Sequence, residues 1–145
     1  MSYRNIKIII DILMLLLIIL SFASWYSAPT FHIIAGSACT LLFAIHVLLN
    51  RKWLESVTKN FKTGKVTARA KRLYIIDFLM IIVWGIATIT GFLAIPSYIN
   101  ETENTFGAIV IHGVSARFGC ILVVVHIFQH MGQIRSYLTR KMNNR

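Results

Sequence analysis

Four long apolar segments constrain the fold of this 145-residue chain more than any other feature of its sequence. They lie at about residues 6–27, 30–50, 73–98 and 105–131, and 57% of all residues are hydrophobic. Each segment reaches or approaches the roughly 20 residues that a helix needs to cross a bilayer. Backbone groups in lipid must be hydrogen-bonded within their own segment, so we predict helices. Short connections favour an all-α, integral membrane four-helix up-down bundle, with residues 1–145 as a single transmembrane domain.

The positive charge of the chain, a net +10, is distributed unevenly. Basic residues precede the first segment, follow the fourth and crowd residues 51–72, whereas the connection near residues 100–105 carries Glu101 and Glu103. By the positive-inside rule, both termini and the basic loop 51–72 are predicted to be cytoplasmic. We expect this loop to lie on anionic lipid headgroups rather than on nucleic acid, partly helical and interrupted near Gly64.

Four of the five histidines form two pairs with the same spacing. His32 and His46 are 14 residues apart, and so are His112 and His126. On an α-helix this spacing comes about 40° short of four turns and rises about 21 Å, so each pair lies on one face with one ring near each membrane surface. In an up-down bundle the second and fourth helices are parallel. We therefore predict that His32 faces His112 near the outer surface, and that His46 faces His126 near the inner surface.

Two imidazoles that face each other across a gap between helices suit the two axial positions of a haem iron. The repeated spacing therefore predicts two non-covalent b-type haems, stacked along the membrane normal. A macrocycle needs room, and the residues near the histidine faces are small: Ala35, Gly36, Cys39, Ser115, Ala116 and Gly119. In the alternative interpretation, the histidines form hydrogen bonds between helices or part of a proton path.

His130 and Asn50 occupy matching places, one turn beyond His126 and His46. His130 is thus an alternative inner ligand, although the equal spacing favours His126. Both His130 and Asn50 are candidates for hydrogen bonding at the cytoplasmic haem edge, and ordinary interfacial polarity explains them equally well.

Besides Lys7 at the very start of the first segment, three charged residues lie inside the apolar segments. Asp11 and Asp77 are each about one turn in from a cytoplasmic end, near the level of the inner histidines. They can deliver protons, pair with a basic group or simply be solvated. Arg117 lies deeper, where an unpaired charge is costly, and about 140° from the histidine face. It is a candidate to reach a haem propionate or a partner on another helix.

A resemblance to known proteins is carried by two patterns, His32-x3-Gly36-x9-His46-x3-Asn50-x2-Trp53 and His112-x13-His126-x3-His130. They resemble a family of small bacterial four-helix membrane proteins, long known only as a domain of unknown function and now described as b-type cytochromes. The spacings are also similar to those of the four-helix haem-binding core of respiratory cytochrome b. The resemblance implies a multi-pass protein of the bacterial cytoplasmic membrane, with the four paired histidines as axial ligands. It further implies an extracytoplasmic flavinylated protein as a redox partner.

An iron with two histidine ligands has no open position, so we expect outer-sphere transfer of single electrons. The second nitrogen of each ring can donate a hydrogen bond that fixes the ring and tunes the potential. Electrons are expected to enter at the inner haem from a cytoplasmic or quinol donor and to leave from the outer haem. Two alternatives stay open: a haem oxidoreductase acting on superoxide, ferric iron or quinone at the outer face, and a small haem-free, proton- or metal-coupled transporter.

Overall fold

The computed structural model describes residues 3–100 and 106–143, and every regular element within these two ranges is an α-helix. Helix α1 spans Tyr3–Ser24, α2 spans Pro29–Lys62, α3 spans Ala68–Asn100 and α4 spans Phe106–Asn143. All four are long and apolar enough to cross a membrane, and each exposes many large apolar side chains. The structure is therefore that of an all-helical, multi-pass membrane protein, as the sequence predicts.

The helices extend beyond the predicted membrane spans. Helix α2 has 34 residues and is about 51 Å long at 1.5 Å per residue, whereas the hydrocarbon core of a bilayer is about 30 Å thick. Residues 51–62, which the sequence assigned to the basic loop, instead continue α2, because lysine and arginine are good helix formers. The predicted interruption near Gly64 is confirmed: α2 ends at Lys62, and Gly64 has a φ of 69°.

The described residues divide into two compact units on either side of the bond between Gly64 and Lys65. The first unit is a hairpin of α1 and α2. Two contacts show that its helices are antiparallel. Tyr3 near the start of α1 donates a hydrogen bond to the carbonyl oxygen of Leu49, and Ser21 near the end of α1 contacts His32 near the start of α2. The connection is tight, and Pro29 occupies the start of α2, where a missing backbone N–H has no cost.

The second unit is a hairpin of α3 and α4. Gly119 allows a close approach of the two helices, since a Cβ atom at this position would lie 3.3 Å from Cε3 of Trp84. Four apolar side chains are buried in this unit: Leu73, Met80, Ala87 and Leu122. The predicted connection with Glu101 and Glu103 lies outside the described residues.

Candidate functional site

In the first hairpin, His32, which is predicted to be the outer histidine, is held by a backbone carbonyl. His32 lies in the first turn of α2, and its Nδ1 is 2.8 Å from the carbonyl oxygen of Ser21 and 3.1 Å from the Ser21 hydroxyl. A carbonyl oxygen only accepts hydrogen bonds, so Nδ1 carries a proton and donates it. Ser21 lies in the last turn of α1, where carbonyl oxygens are open to donors from outside the helix.

In the second hairpin, His112, which is also predicted to be an outer histidine, is held in the same way. Nδ1 of His112 is 2.8 Å from the carbonyl oxygen of Ala87. Ala87 lies inside α3, and its carbonyl oxygen also accepts from the Thr90 hydroxyl at 3.3 Å, so the histidine shares this acceptor with a neighbour on the helix. Gly91 comes one turn later, and a Cβ atom there would lie only 2.9 Å from Nδ1 of His112. Glycine at position 91 therefore makes room for the ring.

His46 and His126, which are predicted to be the inner histidines, are held by carboxylates. Nδ1 of His46 is 2.7 Å from Oδ1 of Asp11, and Nδ1 of His126 is 2.7 Å from Oδ1 of Asp77. The second pair is more shielded: the Asp77 side chain is 19% exposed and that of Asp11 is 52% exposed. Hydrogen bonds to an ionised acceptor are shorter and stronger than those between neutral groups.

The tautomer of His46 follows from its neighbours. The Lys7 ammonium, which only donates, is 2.7 Å from Oδ1 of Asn50. The Asn50 amide nitrogen therefore points away from Lys7, and it lies 2.8 Å from the His46 carbonyl oxygen and 3.3 Å from His46 Nε2. An amide nitrogen is a donor, so His46 Nε2 is an acceptor. The proton of the neutral ring is on Nδ1, facing Asp11.

All four paired histidines thus share one arrangement. Each Nδ1 faces an oxygen on the other helix of its own hairpin, and in the neutral ring this leaves the lone pair on Nε2. In His46 this lone pair accepts from the Asn50 amide at 3.3 Å, a contact that a bound metal would replace. Histidines that bind metals almost always donate their other ring N–H to a carboxylate or a backbone carbonyl. The donor set therefore fits the axial ligands of haem iron. Which histidines pair across the two hairpins stays a prediction from the sequence.

His130 lies against His126. The centres of the two rings are 4.5 Å apart and their planes are inclined by 38°. Potential ligand atoms of Asp77, His126 and His130 all lie within 4.8 Å of one another, a spacing that a single metal ion can bridge. However, Asp77 and His126 already bind each other through a hydrogen bond.

The partners of the histidines form an internal repeat that sequence reasoning missed. Asp77 follows Asp11 by 66 positions, and Ala87 follows Ser21 by the same 66. The histidines of α4 follow those of α2 by 80 positions. The two aspartates were placed at the level of the inner histidines but were not paired with them. In each hairpin the aspartate and the residue whose carbonyl oxygen accepts from a histidine are ten residues apart, and of these only the two aspartates, 66 positions apart, were a signal visible in the sequence.

The small residues of the histidine faces take part in packing within each hairpin. The Cys39 side chain is 2% exposed and its thiol lies 3.9 Å from the carbonyl oxygen of Met14, while Gly36 faces the Ser21 hydroxyl. Ser115 is buried and donates to the carbonyl oxygen of Ile111, one turn earlier. Ala35 is buried and Ala116 is half-buried. Close packing of helices is therefore one reason for small residues here, and room for a macrocycle stays a prediction.

Arg117 lies on an exposed part of α4. Its guanidinium group runs back towards Gly113, where an added Cβ would lie 3.7 Å from Nη1. Arg117 is five residues from His112 and nine from His126, so its backbone is nearer the outer histidine.

The chain matches no family model, no curated protein and no solved structure.

Proposed function

We propose that this protein is a membrane cytochrome of the b type that transfers electrons across the membrane through two bis-histidine haems. One haem is ligated by His32 and His112, and the other by His46 and His126. In this proposal each iron takes one ligand from α2 and one from α4, an assignment that rests on the two equal 14-residue spacings in the sequence. This assignment agrees with the family that the histidine patterns resemble.

One observation carries the proposal: all four histidines direct Nδ1 at an oxygen within their own hairpin. A single histidine in a membrane helix commonly makes such a hydrogen bond for structural reasons. Four rings held by the same nitrogen, in two pairs of equal spacing, are better explained by a common need for Nε2. The helices thereby orient each ring and fix its tautomer before a metal arrives.

When bound, such a haem supplies a one-electron iron couple. The protein contributes the environment of that couple. Two histidine ligands on each haem, His32 with His112 and His46 with His126, would keep small molecules from binding the iron directly. Apolar side chains around the helices restrict access of water, and the hydrogen bonds to Nδ1 adjust the electron density of each ligand.

The proposed orientation puts both termini and the basic residues 51–72 on the cytoplasmic side of a bacterial membrane. Electrons enter at the haem of His46 and His126, from a cytoplasmic or quinol donor, and leave from the haem of His32 and His112. The acceptor is an extracytoplasmic redox protein, for which a flavinylated protein is the candidate that the resemblance supplies.

A second candidate function is a metal-coupled transporter, and the group formed by Asp77, His126 and His130 favours it. Zinc binds both imidazole and carboxylate ligands. The corresponding place in the first hairpin, however, holds Asn50 instead of a histidine. The haem proposal accounts for both hairpins, whereas the metal group accounts for only one.

The test is an absorption spectrum of the full chain, purified in detergent from cells with an ample haem supply. The proposal predicts a reduced-minus-oxidised spectrum with a b-type α band, and two haems per chain by pyridine haemochrome analysis. A folded, helical and colourless protein that binds Zn²⁺ instead would replace this proposal with the transporter. A zinc titration of Asp77→Asn against wild type would then locate the metal.

A further inference from the structure

The acceptors of the four histidines differ in charge according to depth. Both inner histidines donate to a carboxylate, Asp11 or Asp77, at 2.7 Å. Both outer histidines donate to a neutral backbone carbonyl at 2.8 Å. The division is the same in the two hairpins, although their sequences differ. This difference in charge is not needed to orient the rings, because a carbonyl fixes a ring as well as a carboxylate does.

A carboxylate acceptor changes the ligand as well as holding it. It draws the Nδ1 proton towards itself, which leaves more negative charge on the imidazole and makes Nε2 a stronger electron donor. A more negative ligand stabilises ferric iron, which has the higher charge, relative to ferrous iron. Hydrogen bonds to axial ligands are one of the means by which a protein sets a haem potential.

We propose that Asp11 and Asp77 give the haem of His46 and His126 the lower reduction potential of the two. Electron transfer from this inner haem to the outer one is then downhill, and the carboxylates set its direction. This inference rests on the proposed function and adds to it a role for two residues that do not touch the iron. Asp11 and Asp77 act through their histidines and are positioning and tuning residues.

The surrounding charges predict unequal contributions from the two aspartates. Asp77 is the more shielded carboxylate, so water screens its charge less. In the first hairpin the Lys7 ammonium reaches Asn50, which contacts His46, and this positive charge opposes Asp11. The position that corresponds to Lys7 in the second hairpin is Leu73. Asp77 should therefore lower the inner potential more than Asp11 does.

Arg117 acts in the same direction as the aspartates. Its backbone lies about 7.5 Å along α4 from His112 and about 13.5 Å from His126, at 1.5 Å per residue. A positive charge nearer the outer site stabilises ferrous iron there and raises the outer potential. The order of the two potentials therefore does not depend on the aspartates alone.

The experiment is a redox titration of the haem-loaded full chain, monitored at the α band, for wild type, Asp77→Asn and Asp11→Asn. Asparagine keeps an oxygen that accepts from Nδ1 and removes the charge. We expect two components in the wild type. The lower potential should rise in both variants, more in Asp77→Asn, and the higher potential should stay in place. Glu55→Gln is the matched control, since it removes an exposed carboxylate nine residues beyond His46 and should move neither component.

Each outcome of the redox titration supports or overturns the inference about the two aspartates. A rise of the higher component, or no movement of either in both Asp variants, overturns the inference and leaves the cytochrome in place. Equal shifts in Glu55→Gln also overturn it, because they would show only a general effect of charge. A wild-type chain without haem overturns the proposed function and this inference together. If Asp77→Asn loses the inner haem, Asp11→Asn and the low-spin ferric EPR signal of the inner site provide the same comparison.

Discussion

Replacement of Gly91 by alanine should weaken binding of the proposed outer haem and leave binding of the inner one unchanged. A Cβ atom at position 91 would lie 2.9 Å from Nδ1 and 3.0 Å from Cε1 of His112. Ordinary contacts of a Cβ begin at 3.4 Å, so the ring must retreat by at least about 0.5 Å. The bond from Nδ1 to the Ala87 carbonyl is 2.8 Å long and would then reach about 3.3 Å, beyond good hydrogen-bonding distance.

We expect the haem affinity of this site to fall about 10- to 100-fold, which is the usual effect of removing the hydrogen bond that holds a metal-binding histidine. The assay is haem titration of the purified chain at the α band. It should show one site with unchanged affinity and one that is weakened to this extent.

Gly85→Ala is the matched control. Gly85 lies on the same helix, six residues earlier, and a Cβ atom there would meet nothing within 4 Å. Both substitutions change the helix propensity of α3 equally, so only the contact with His112 distinguishes them. If Gly91→Ala and Gly85→Ala both bind two haems with wild-type affinity, His112 is not held as described or does not bind haem.

Three further predictions concern the same helices. Ser21→Ala should retain the outer haem, because the backbone carbonyl that binds His32 remains; loss of haem in this variant would show that the hydroxyl is the essential partner. His32→Ala and His112→Ala should each lower the haem content from two to one and remove the outer potential. His46→Ala and His126→Ala should each lower the haem content in the same way and remove the inner potential. His130→Ala should keep both haems. If His126→Ala keeps both haems and His130→Ala loses one, His130 is the ligand. Cys39→Leu should destabilise the first hairpin by about 1–3 kcal/mol in an SDS unfolding titration, because Cys39 is fully packed against α1. Cys120→Leu, at a half-buried position, should destabilise the protein less. Equal losses of stability in the two variants would contradict the packing described.

The membrane helices could be predicted because length and apolarity are local properties of the sequence. Their ends could not, because a helix does not stop where the bilayer does: residues 51–62 are too basic for lipid yet favourable for helix, so α2 continues through them. The turn at Gly64 was predictable, since a residue with φ of 69° is best supplied by glycine.

Of the candidate site, only the four histidines could be selected from the sequence, and their role as ligands stays a prediction. The equal histidine spacings are visible in the sequence, whereas a backbone carbonyl acceptor has no side-chain signature. The pairing of Asp11 with His46 depends on how α1 is aligned with α2. It spans 35 residues in the first hairpin, while the corresponding pair in the second spans 49. Because this separation is longer in the second hairpin, an alignment of the two halves of the chain at a single offset cannot match both the aspartates and the histidines.

The two hairpins show which parts of this arrangement depend on side chains. At the outer level the acceptor is a main-chain oxygen, and the residue that provides it is serine in one hairpin and alanine in the other. At the inner level the acceptor is a side chain, and aspartate occurs in both. A backbone carbonyl leaves its side chain free to vary, so Ser21 and Ala87 need no resemblance. It must, however, be accessible, and the hairpins achieve this differently: Ser21 lies at a helix end, and Ala87 lies one turn before a glycine. The requirement common to both is therefore the orientation of the histidine ring, because different local sequences arrive at the same protonated Nδ1.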